Sequence, residues 1–146
     1  MTNSMTIGQV MRPCPVAVTP SHTLAEAHGI MRAHRIRHLP VVEAGRLVGL
    51  VSQGDLRLLE SLEPIDTRQV EVDDAMTTEL YTVGPDEPLR DVVAEMGARR
   101  IGSALVADGG TVVGIFTCVD ALAILRQLLD DRDAGAASLE RSGYHG

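Results

Sequence analysis

Two short elements carry the clearest chemistry in the sequence, Ser52-Gln-Gly-Asp55 and Thr117-Cys-Val-Asp120. A carboxylate can accept both hydroxyls of a ribose diol, and a hydrogen bond to a charged group contributes about 1.5–3 kcal/mol. A hydroxyl just before a helix can join the free backbone amides of the first turn in meeting phosphate oxygens. Asp, Ser and Thr are also favoured helix caps in any protein, and on residue type alone capping is the expected role. Cations that could meet a phosphate stand at two expected helix-to-strand junctions: Arg35, Arg37 and His38 in the first half, Arg99 and Arg100 in the second. A solvated polar turn explains any single one of them equally well.

Other constellations point to less. His22, His28, His34 and His38 cluster, but the strand expected to start before Leu39 breaks the helical spacing of the last two, and neither Cys nor carboxylate completes a zinc set, so no metal is expected. Cys118 lies at a helix start, where a thiol can become more acidic, although a small filler residue accounts for it. Gly45, Gly109 and Gly110 are not followed by the Lys-Ser/Thr of a phosphate loop and read as turn glycines. No nucleophile, base and orienting group occur together, and no catalytic residue is expected.

Composition narrows the partners. The 146 residues carry a net charge of −7 and only 2% aromatic residues, with a pI near 5.1. General nucleic-acid binding needs a basic face and usually stacking aromatics, so nucleic acid is excluded as a partner. No apolar run approaches the roughly 20 residues that span a bilayer, and the first residues lack the features of a signal peptide. The chain reads as cytoplasmic and free of membrane. Cys14 and Cys118 have no CxxC spacing, so a disulfide framework is unsupported.

The elements that must position these residues repeat. Met11 returns at Met76, an offset of 65, and without a gap Pro20 falls on Pro85, Leu24 on Leu89, Arg35-Ile36 on Arg100-Ile101, Val48-Gly49 on Val113-Gly114 and Asp55 on Asp120. Such a register defines a tandem repeat. The expected units are 7–62 and 72–131, with a polar connector at 63–71 and a loose tail at 132–146. In each unit a short extended segment (15–19 and 80–83) precedes a helix. Leu24, Ala27, Ile30 and Met31 mark its buried stripe in the first copy, as Leu89, Val92, Val93 and Met96 do in the second. Thr23-Leu-Ala-Glu26 has capping-box spacing, and Pro88 suits a first helical turn. Two apolar runs then form a hairpin, with both alternations apolar as in strands covered on both faces. A final helix starts near Asp55 and near Asp120. The expected fold is α/β: two β-α-β-β-α repeats packed sheet to sheet with pseudo-twofold symmetry, because about 55 residues alone bury too little surface.

Gly49-Leu-Val-Ser52-Gln-Gly-Asp55 and Gly114-Ile-Phe-Thr117-Cys-Val-Asp120, with His38-Leu-Pro-Val-Val42 upstream in the first unit, resemble a tandem pair of CBS domains (cystathionine-β-synthase domains), the arrangement called a Bateman module. The resemblance implies a regulatory sensor rather than an enzyme, with adenosine nucleotides (AMP, ADP, ATP or NAD) bound in clefts between the repeats; an S-adenosylmethionine sensor and a metal-binding protein are lesser alternatives. It makes Asp55 and Asp120 ribose ligands. Ser52, Thr117, Arg35, Arg37, His38, Arg99 and Arg100 become phosphate ligands. By position, the base would meet Val16, Ala17, Ile36 and Leu39, or Tyr81, Thr82, Ile101, Gly102, Ser103 and Ala104. It further implies a homodimer formed through the helices, to which the Leu122–Leu129 stripe could contribute, and a separate effector protein. Arg37-His38 in one copy against Gly102-Ser103 in the other makes the clefts unequal. A ligand-free dimerisation module is the rival reading.

Overall fold

The 65-residue repeat becomes a pair of equivalent hairpins in the computed structural model, which describes residues 4–62 and 64–144. A short helix α1 (Ile7–Val10) and strand β1 (Arg12–Pro13) lead into α2 (Leu24–His34), β2 (His38–Glu43), β3 (Arg46–Ser52) and α3 (Gln53–Leu62). After a 3-10 turn at Val72–Asp74 come β4 (Thr82–Val83), α4 (Leu89–Arg99), β5 (Ser103–Asp108), β6 (Thr111–Thr117) and α5 (Cys118–Tyr144). The capping box forms as its spacing predicts: the Glu26 N–H donates to Thr23 Oγ1 at 3.1 Å and the Thr23 N–H to Glu26 Oε1 at 2.9 Å. Both first helices end on an arginine in the left-handed region, Arg35 and Arg100, each with φ of 54°. That turn sends the chain back into the first strand of each hairpin, β2 and β5.

The hairpins share even their irregularities. β2 pairs antiparallel with β3 and β5 with β6, each pair slipping register at the equivalent point, Val41/Val42 and Val106/Ala107. Leu39, Val41 and Val51 face α2 and α3 in the first core; Ala104, Val106 and Phe116 face α4 in the second. Between the sheets lie Leu50, Leu105 and Ile115, with Leu47, Leu80 and Val112 around them. Three consecutive buried residues in β5, Ala104, Leu105 and Val106, belong to a strand covered on both faces.

Each repeat is completed by the other. β1 pairs not with its own hairpin but with β6, Arg12 opposite Ile115. Equivalently, Thr77 exchanges backbone hydrogen bonds of 2.8 and 2.9 Å with Leu50. Ile7, with no exposed surface, is buried with Leu89, Val92 and Phe116 of the second repeat, and its counterpart Val72 with Leu24, Leu39 and Leu56 of the first. Glycine is required where these segments cross the hairpins. A Cβ at Gly49 would sit 2.6 Å from Met76 Sδ and 3.1 Å from the Thr77 carbonyl oxygen; one at Gly114 would meet Met11 and lie 3.0 Å from the Arg12 carbonyl oxygen.

Two expectations change. The extended segment at 15–19 makes a single parallel bridge, Val18 to Val41, matching the parallel pairing of β4 with β5. The region expected to be a loose tail from 132 continues α5 as helix through Tyr144. It has no proline, Ala134 and Ala136 are strong helix formers, and a glycine such as Gly135 costs only about 1 kcal/mol. Glu63 of the connector and residues 145–146 lie outside the described residues.

Candidate functional site

The exchange of leading segments makes a cleft that belongs to both repeats. One wall is Arg12, Pro13, Cys14 and Pro15; the left-handed turn after α2 adds Arg35, Ile36, Arg37 and His38. The opposite wall comes from the second repeat, with Ile115 and Thr117 at the end of β6 and Val119 and Asp120 in the first turn of α5. The cavity is about 630 Å³, within the roughly 300–1,000 Å³ of small-molecule sites.

Its floor is a satisfied carboxylate. Asp120, only 8% exposed, accepts at Oδ2 from the Thr117 backbone N–H at 2.9 Å and from its hydroxyl at 3.0 Å. The Asp120 N–H donates back to Thr117 Oγ1 at 3.3 Å. Oδ1 takes the Arg12 Nε–H at 2.6 Å. Asp55 makes the same reciprocal cap with Ser52, both bonds 3.0 Å, but among the described residues no cation lies within salt-bridge distance of it. Both elements therefore cap their helices, and one keeps an oxygen turned toward an arginine. Burial holds the His38 imidazole below its ordinary pKa, opposed by the charges of Asp55 and Asp120 and reinforced by those of Arg12 and Arg37. The ring is neutral at pH 7 and can accept as well as donate. Burial pushes the Cys14 thiol up to about 11, so it is protonated and unreactive.

The equivalent cleft is about 140 Å³ and differently lined, by Leu50, Thr77, Glu79, Leu80, Tyr81, Ile101, Gly102, Ser103 and Leu105. At equivalent positions Thr77 replaces Arg12, Gly102 replaces Arg37 and Ser103 replaces His38. Its lining has no arginine and contains a carboxylate. Arg99 instead stands over the Tyr81 ring, 5.0 Å from its centroid, and Arg100 lines a groove with Val93, Met96 and Cys118 between α4 and α5. Burial, with Glu95 and Glu87 nearby, raises the Tyr81 pKa.

The candidate residues thus separate. Arg35, Ile36, Arg37, His38, Thr117 and Asp120 meet in the large cleft, whereas Tyr81, Ile101, Gly102 and Ser103 line the small one. Ser52 and Asp55 line neither. Val16 and Ala17 border a separate cavity of about 240 Å³ with Pro40, Val42 and Leu47. Leu39 and Ala104, expected to face a base, have no exposed surface: strand alternation points them into the cores under the helices. Thr82 is exposed on β4 and lines none of these cavities. The residue the sequence reading missed is Arg12. Its signal was present in the repeat register, where an arginine follows Met11 and a threonine follows Met76. Among the described residues no group of three His, Cys, Asp or Glu side chains could hold a metal, and no helix is long and apolar enough to cross a membrane.

Known proteins share this architecture. Residues 7–60 and 72–127 each match the CBS domain family. The CBS domain-containing protein YhcV of Bacillus subtilis (strain 168) is 32% identical over 128 residues, covering 88% of this chain and 90% of that protein. The inosine-5'-monophosphate dehydrogenase of Korarchaeum cryptofilum is 30% identical over 108 residues, 72% of this chain but 21% of the enzyme, so the chain spans about a fifth of that relative. Among solved structures, an uncharacterized conserved protein from Pyrococcus horikoshii superposes with a TM-score of 0.71 at 28% identity, covering 86% of this chain and 96% of that one. The CBS domain pair of protein MJ0100, in complex with 5'-methylthioadenosine and S-adenosyl-L-methionine, also has a TM-score of 0.71, at 25% identity over 85% of this chain and 98% of that one.

Proposed function

Because this chain belongs to the CBS domain family and carries two such domains in tandem, we propose that it is a regulatory sensor: an adenosine nucleotide binds in the large inter-repeat cleft and changes the chain's affinity for a separate effector protein. The observation that carries this reading is the convergence of Arg12, Arg35, Arg37 and His38 on Thr117 and Asp120 across one cavity of about 630 Å³. On a chain of net charge −7, that local excess of arginine over carboxylate, Arg12, Arg35 and Arg37 against Asp120, selects an anion. Asp120 accepts the ribose diol, while the arginines and the helix start at Thr117 receive phosphate. Ile36 supplies an apolar wall for the base.

The MJ0100 pair holds 5'-methylthioadenosine and S-adenosyl-L-methionine, which supports the adenosine part of the reading. The basic lining of this cleft favours AMP, ADP, ATP or NAD over those uncharged or sulfonium ligands. At about 140 Å³, the second cleft is too small for a nucleoside without rearrangement, so one ligand per chain is expected. Signalling follows from the cleft's composition, since a ligand that contacts both repeats stabilises one arrangement of them over others. The reading assigns regulation in the cytoplasm and no catalysis.

A thermal-shift series with AMP, ADP, ATP, NAD and S-adenosylmethionine tests it. A ligand at a hundredfold excess over its Kd adds about 2.7 kcal/mol, several degrees in Tm. Stabilisation by the phosphate-bearing ligands is the expected result, and a flat response to all five would sink the reading. The second reading, a ligand-free dimerisation module, draws on the exposed apolar side chains Val119, Leu122, Leu125, Leu128 and Leu129 along α5. It stands if no ligand shifts Tm and the chain is nonetheless a dimer.

A further inference from the structure

The Arg12–Asp120 pair sits where both the phosphate and the ribose of such a ligand would be held, and it has no counterpart in the other repeat. The bond is short, 2.6 Å, and it joins a side chain that is 68% exposed to one that is 9% exposed. Only Nε is engaged. Among the described residues the rest of the guanidinium makes no hydrogen bond, so its outer edge faces the cleft free to meet an anion. Asp120 Oδ2 is committed to the cap, leaving Oδ1 as the acceptor a diol must reach, and Arg12 occupies it.

We propose that Arg12 determines the specificity of the cleft by exchange: it holds Asp120 while the cleft is empty and moves onto the ligand's phosphate on binding, which frees Asp120 Oδ1 for the ribose. This rests on the nucleotide reading above. A nucleoside without phosphate offers Arg12 no new partner and must compete with it for Asp120. A nucleotide supplies the replacement anion and meets no such competition. The cleft thereby requires phosphate and ribose together, through a pair whose two members belong to different repeats.

Titration calorimetry of the full chain with AMP and with adenosine tests the exchange. The wild type is expected to prefer AMP by about tenfold or more, the worth of at least one charge-assisted hydrogen bond. Arg12→Thr installs the residue that the second repeat carries at the equivalent position, Thr77. It is expected to weaken AMP and strengthen adenosine, narrowing the ratio of the two affinities, with Arg35 and Arg37 keeping what preference remains. Arg12→Gln keeps length without charge and should behave alike, which preserves the test if the Thr variant does not melt cooperatively; Arg12→Lys should keep the preference. An unchanged AMP-to-adenosine ratio in the Thr and Gln variants would make Arg12 a staple between the repeats and overturn the proposal. If wild type binds neither compound, the nucleotide reading fails and the exchange with it; if it binds AMP normally while the ratio ignores Arg12, only the exchange fails.

Discussion

Asp55 and Asp120 occupy equivalent positions and make the same cap, yet only Asp120 faces a basic cleft. Replacing either with alanine is expected to cost about 1 kcal/mol as a lost cap. The responses to nucleotide should diverge: Asp120→Ala loses ligand-induced stabilisation in thermal shift, whereas Asp55→Ala melts earlier but keeps the shift. An unchanged ligand shift in Asp120→Ala would assign that carboxylate to capping alone. His38 adds a pH dependence. Its folded pKa lies below the unfolded value of about 6.5, so the unfolded chain takes up the proton first. Stability is therefore full above about pH 6.5 and declines as pH falls toward the folded value. In urea melts between pH 5 and 8, roughly the span bracketing this titration, His38→Gln should flatten that decline. Much of this site was legible in residue types and repeat register. Residue types could not reveal that Arg35, Arg37 and His38 of one repeat face Thr117 and Asp120 of the other, because a cleft between repeats leaves no trace in the pattern of either.

At the scale of elements, the hairpins, the first helix of each unit and the starts of the last helices were readable because each rests on local chemistry: apolar runs split by turn glycines, a Thr-x-x-Glu box at α2 and Pro88 ahead of α4. The leading segments were not. α1 has four residues and β1 two, too few for a periodicity, and their partners lie about a hundred residues away in sequence. Gly49 and Gly114 are where that exchange is most exposed to mutation. Gly49→Ala and Gly114→Ala are each expected to lose about 1–3 kcal/mol from overpacking against a methionine and a backbone carbonyl, measured by chemical denaturation. Alanine at Gly102, which has nothing within 4 Å of its Cβ position, is the control and should change stability little. The long α5 was misread from composition, since small and polar residues suit a coil as well as an Ala-containing helix whose exposed face makes i,i+4 bonds such as Gln127 to Asp131 at 3.1 Å.

For the whole molecule, the two repeats differ on their outer helices as well as in their clefts. His28 and Glu60 form a 2.6 Å pair between α2 and α3; their equivalents are Val93 and Leu125, both exposed. Arg57 likewise corresponds to Leu122. Leu58 and Leu62 are exposed on α3 as well, but the longer apolar stripe is on the second repeat, and it is the surface on which a homodimer would form. Sedimentation equilibrium is expected to show a dimer that Leu122→Glu with Leu125→Glu converts to monomer without lowering the Tm of the monomeric fold; a monomeric wild type would remove the dimer from the functional reading. Leu105→Ala, in the layer between the sheets, should cost about 2–5 kcal/mol while unfolding stays a single transition, because neither core is complete without the other repeat's leading segment. That exchange also bears on dilution. A lone repeat could fill its core only by capturing Ile7 or Val72 from another chain, at a rate and extent set by protein concentration. The connector at 63–71 turns the capture into an intramolecular event with an effective concentration in the millimolar range typical of short linkers, so the inter-repeat cleft persists at any cellular abundance of the protein.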